Sequence, residues 1–171
     1  MSDLSRDLEE AAALFPEDFG EKRTEFLKGF KQALKGVIDG KVNESYLFNT
    51  THANQALLEA KDGDKFEYFG FGMGYIIAIL KYKPRELLKD SHNNSKLILC
   101  IQNVDITSTY AQQEGYPHYK TLGPELGRAL HAYNRLHARQ WYEKLKSMVR
   151  DFSPQERKSF DEIGARLKGI L

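Results

Sequence analysis

Cysteine occurs once in the 171 residues, at Cys100, so no disulfide can close within the chain and a structural zinc site lacks its usual ligands. That scarcity suits a reducing compartment, and a cytoplasmic setting is the expectation. The first residues are acidic and lack the basic-then-apolar order of a secretion signal. A charge excess is also missing. Lys and Arg together number 25 against 24 Asp and Glu, which removes the usual argument for nucleic acid or an acidic membrane as the partner. The densest apolar run, Phe69 to Leu80, is bounded by Lys65, Glu67, Lys81 and Lys83. A bilayer needs about twenty such residues, so the run reads as core and no membrane span is expected.

Catalytic signatures are absent as well. The zincin helix, the phosphate-binding P-loop, the nucleophile elbow and the EF-hand loop have no match. Five histidines are present, but no two share the spacing that would put a pair of ligands on one helical face. His131 and His137 point about 120° apart on a helix. Paired Glu-x-x-His motifs of di-iron bundles are missing too. Neither a metal nor a cofactor is expected.

What the chain has is ordinary globular composition, 41% hydrophobic and 29% charged, patterned at helical spacing. Ser2 or Asp3 can cap a first helix carrying Leu4, Leu8, Ala11 and Ala12 inward, ended by Phe15-Pro16. A second helix over about 17 to 39 presents Phe19, Phe26, Leu27, Phe30, Leu34, Val37 and Ile38 on one side, with Gly40 to stop it. A third starts at Thr50 or Thr51 and buries Ala53, Leu57 and Leu58. From Asp64 to Tyr82 both faces are apolar, which places that helix in the middle of the fold. Lys83-Pro84 breaks it, and a short helix follows through Leu87 and Leu88.

Residues 97 to 110 fit a buried helix or a short strand. Helix is preferred because no second strand with a hairpin turn is visible. Gly123-Pro124 opens the longest helical pattern, running to about Phe152. Ser153-Pro-Gln-Glu156 is a capping box for a last helix that turns Phe160, Ile163, Leu167 and Ile170 inward. No linker or repeat divides these elements. The expected fold is all-α, a single domain over residues 1–171 built as a bundle of about seven helices, with a strand or irregular piece near 97–110 as the open point.

Gly70-Phe-Gly-Met-Gly74 resembles a dinucleotide loop only superficially, since its third glycine is misplaced and no strand precedes it. Two glycines one turn apart in an aromatic helix instead predict close approach of another helix. The rival reading is a ligand cavity lined by Tyr68, Tyr75 and Tyr82, whose hydroxyls need partners when buried.

The charge is unevenly spread: residues 1–21 hold seven acids and one base, whereas residues 119–171 hold eleven bases and six acids. On the long helix, over 124–152, Arg128, Arg135, Arg139, Lys146 and Arg150 lie within about 40° of one line, with His131 and Tyr142 beside them. That row is either a solvated face, paired with Asp3, Asp7 and Glu10 of the first helix, or a surface for the acidic side of a partner protein.

Residues 53–80, with Leu57-Leu-Glu-Ala60 and Gly72-Met-Gly-Tyr-Ile76, resemble the central stretch of the Tai family of immunity proteins of bacterial secretion systems. The likeness spans under a fifth of the chain, and that family's paired cysteines and export signal are absent. It implies an immunity-type binding protein.

The expected function is a soluble, non-catalytic, protein-binding helical module (adaptor, inhibitor or immunity-type) working through the basic face. Carriage or sensing of a small apolar or aromatic ligand is the first alternative. The second is an enzyme assembled from distant residues, with His131, Tyr142 and Arg135 as its grouping. Oligomeric state is not encoded in a readable pattern.

Overall fold

The computed structural model describes residues 3–42 and 62–171. Among them are seven α-helices and no strand: α1 (Asp3–Ala12), α2 (Gly20–Asp39), α3 (Asp62–Tyr82), α4 (Ser91–Tyr110), α5 (Pro117–Thr121), α6 (Gly123–Ser147) and α7 (Pro154–Arg166). Short 3-10 turns at Glu17–Phe19, Glu86–Lys89 and Val149–Asp151 join them. The helix expected from Thr50 or Thr51, with Ala53, Leu57 and Leu58, lies outside the described residues.

The middle of the fold is α3, as its all-round apolar pattern requires. Every residue from Phe69 to Leu80 is buried. It starts at Asp62, two residues ahead of the expected Asp64, with Asp62-Gly63-Asp64 in its first turn. Against it lies α2, in parallel: a Cβ on Gly70 would overlap the Phe26 carbonyl oxygen, and one on Gly74 would come within 2.5 Å of the Phe30 oxygen. The fit is reciprocal, because a Cβ on Gly29 of α2 would overlap the Glu67 carbonyl oxygen. Glycines on both helices thus let the two backbones touch. Gly40 ends α2 in the left-handed region, φ 73°, with its N–H donated to the carbonyls of Gly36 and Val37.

Residues 97 to 110 are helical, inside α4, which settles the strand alternative against it. Asp90 caps this helix, accepting from the N–H groups of His92 at 3.0 Å and Asn93 at 3.3 Å. Its apolar run looked strand-like because α4 is buried over a broad arc, from Leu97 and Ile98 through Cys100, Ile101 and Val104. Antiparallel to it runs α6, joined where the Asn134 amide donates to the Ile101 carbonyl at 3.1 Å.

The long helix stops at Ser147, short of Phe152. Pro154 drives the chain ahead of it into extended geometry, with ψ 135° at Phe152 and 163° at Ser153. A 3-10 turn then carries the apolar spacing on without a helix. Arg150 consequently leaves the line of arginines on α6.

The capping box of α7 is present in full, and Glu156 has a second duty. Arg85 donates to its carboxylate through Nε at 2.9 Å and to the Asp151 carbonyl through Nη2 at 2.7 Å, binding the turn after α3 to the start of α7. The hydrogen bond from Arg85, with that from the Ser153 backbone, lowers the Glu156 carboxyl from 4.5 to about 2. A depressed carboxyl stabilises the fold above its unfolded pKa, and the gain disappears as pH falls through the folded one. Glu156→Gln should therefore lower the neutral-pH melting temperature and flatten its decline between pH 4.5 and 2, read by circular dichroism melts across that window.

Candidate partner-binding face

One side of α6 is committed to the core through Leu126, Leu130, Tyr133, Ala138, Trp141 and Leu145. Trp141 also donates its indole N–H to the Pro84 carbonyl at 3.2 Å, fixing the helix against the end of α3. The opposite side carries the basic row, and the structure divides that row in two.

Its middle members are engaged. Arg135 grips Asp105 of α4 with both arms of the guanidinium, Nε to Oδ1 at 2.8 Å and Nη2 to Oδ2 at 3.1 Å. That contact raises the Arg135 pKa further above its already high ordinary value. His131 Nε2 lies 3.2 Å from the same Asp105 Oδ1. Arg139 donates through Nε to the Ile170 carbonyl at 3.0 Å. The Tyr142 ring stacks on Phe160 of α7, centroids 4.9 Å apart and planes 9° from parallel. These four residues hold α4, α7 and the segment after it against α6.

The outer members are open. Arg128 and Lys146 are exposed, as is Arg150 beyond the end of the helix, and none of the three forms an ion pair among the described residues. Arg139 is exposed as well, with one of its five donors occupied. Leu136, one turn from Ala132 and from Arg139, is 52% exposed, the most exposed large apolar side chain among the described residues.

The expected internal counter-charge on the first helix takes another form. Asp7 of α1 is fully buried and accepts from Lys81 and from the Tyr82 hydroxyl, the latter at 3.0 Å. The carboxylate facing the basic row is Asp105, which periodicity could not single out: it sits at the edge of the α4 core arc, thirty residues from Arg135. The three tyrosines of the rival cavity have different surroundings. Tyr75 is buried and lines a cavity of about 490 Å³ with Val37, Ile79 and Leu87, under a rim that includes Lys41 and Lys83. Tyr82 donates to Asp7, and Tyr68 is half-buried.

Among the described residues no cluster of three His, Cys, Asp or Glu could hold a metal ion. None of their helices is long and apolar enough to cross a membrane. No protein-family model, no curated protein and no solved structure matches the chain.

Proposed function

We propose that this protein is a non-catalytic binding module that engages the acidic surface of a partner protein through the outward side of α6. One observation carries the reading: an apolar side chain, Leu136, stands in the open on the helix that also presents Arg128, Arg139 and Lys146 to solvent. An exposed apolar anchor beside arginines has the make-up of protein interfaces, where Arg is enriched.

The grouping that could have served an enzyme is occupied structurally. Asp105 holds Arg135 and lies 3.2 Å from His131 Nε2, and Tyr142 lies against Phe160. Nucleic acid fits the face poorly, because Glu143 interrupts it and overall charge is +1, whereas phosphate-backbone affinity accumulates with the number of cations engaged. A cytoplasmic setting belongs to this reading and rests on the lone, buried Cys100.

Arg128→Glu combined with Lys146→Glu should abolish capture of the partner from the native host while leaving the melting curve in place. Both positions are exposed and unpaired among the described residues, so the fold has no need of them. Undiminished capture by a folded double variant would remove the face from consideration.

A further inference from the structure

About 180° around α6 from Arg128 and Lys146, the helix meets the C-terminal end of α3 in a cleft that the partner-binding reading does not use. It is an open recess of about 200 Å³ lined by Leu80, Lys81, His137, Gln140, Trp141 and Lys144. Polar groups collect beside it. Asp7, fully buried, accepts from Lys81 and Tyr82. The Tyr133 ring lies 4.4 Å from that of His137, its hydroxyl buried and without a hydrogen-bond partner among the described residues. Burial holds the His137 imidazole below its ordinary pKa; Lys81 acts in the same direction, and Glu10 and Asp7 oppose. At neutral pH the ring is uncharged, offering one N–H donor and one acceptor.

Counting donors decides what the cleft can receive. Lys81 has three N–H bonds and gives one to Asp7. Lys144 is exposed and forms no ion pair among the described residues. Gln140 adds an amide, and His137 an N–H. Against these donors stand two acceptors, the Gln140 oxygen and one imidazole nitrogen. Leu80 and the Trp141 ring supply an apolar wall. Such a recess is complementary to acceptor-rich oxygen attached to a small apolar body.

We propose that this cleft binds a small organic oxyanion, with Lys81 and Lys144 holding the anionic oxygens and Leu80 and Trp141 receiving the apolar part. The recess of about 200 Å³ has room for a single ring between these side chains. Asp7 is a positioning residue: it touches no ligand and fixes the Lys81 ammonium at the rim.

Benzoate and phenyl phosphate, titrated separately into the full chain, test this, with benzyl alcohol as the uncharged control and the His137 ring protons followed by NMR. At least one of the two anions should shift those protons saturably, and the tighter of the two identifies the headgroup as carboxylate or phosphate. Lys144→Met should weaken that binding by about tenfold, as expected for loss of one charge-assisted contact. Because Lys81→Met alone strands a buried carboxylate, the second ammonium is removed as Asp7→Asn with Lys81→Met, its fold verified by circular dichroism. That variant should lose the saturable shift. No saturation by either anion, equal saturation by benzyl alcohol, or binding unaltered in both variants would overturn the proposal.

Discussion

Gly70→Ala should lower the melting temperature by about 6 °C, from a net destabilisation of about 2 kcal/mol. The estimate combines about 3 kcal/mol of overpacking with the few degrees per kcal/mol expected for a domain of this size. The methyl group would overlap a main-chain carbonyl, Phe26 O, with Phe26 Cα only 2.9 Å away, and neither can turn aside as a flexible side chain would. Relief requires α2 and α3 to move apart, which opens the contacts that Phe26, Phe30, Phe69 and Met73 make in the core. Alanine's better helix propensity returns only about 1 kcal/mol. Gly74→Ala should cost less, since its nearest approach is longer, at 2.5 Å. Gly20→Ala, which meets nothing within 4 Å, is the control and should leave the melt unchanged or raise it. Equal melts for Gly70→Ala and Gly20→Ala would mean that the two backbones are not in contact.

Lys81→Met should be the second severe substitution, destabilising the fold by about 2–3 kcal/mol in urea denaturation, because removing one partner leaves a buried carboxylate with too little compensation. Asp7 has no solvent of its own and would retain, among the described residues, only the Tyr82 hydroxyl. The ammonium is one-third exposed, which tempers the loss relative to a wholly buried pair. Asp7→Asn in the same chain should recover much of the stability, since the stranded charge goes with it. A double-mutant cycle with no coupling between the two positions would show that the contact contributes nothing.

Much of the architecture was legible because it rests on patterns that recur every turn. An all-round apolar helix has to be central, and α3 is. Gly70 and Gly74 predicted a close approach, and their neighbour is α2 with its own Gly29. Ser153-Pro-Gln-Glu156 started a helix where its capping box said it would. The long helix was overextended because Met148 and Phe152 keep helical spacing through a 3-10 turn, so periodicity alone cannot see where the hydrogen-bond ladder ends.

Partnerships between distant residues were not legible, for a physical reason. A carboxylate on an acidic amphipathic helix reads as solvated, and only tertiary packing puts Asp7 under Lys81, seventy-four positions away. Asp105 has the same history with Arg135. The helical wheel put Arg128, Arg135 and Arg139 on one side of α6 but also counted in Arg150, which lies beyond the helix, and which of them α4 and the chain after α7 would occupy depends on elements that the wheel does not contain.

On the proposed reading, that division narrows the binding face to its outer cations and Leu136. Arg135 and His131 set the helix in position, and Arg128, Arg139 and Lys146 remain for a partner. Charge should govern how fast and how selectively it docks, while Leu136 supplies the desolvated contact.

The decisive measurement is calorimetric titration of the recovered partner into the wild-type chain, the Arg128→Glu/Lys146→Glu variant and Leu136→Asp, each at low and at high salt. An acidic surface docking on α6 predicts wild-type affinity that falls with added salt and collapses in both variants, with their melts intact. Binding of wild-type strength by the two folded variants, indifferent to salt, would contradict it.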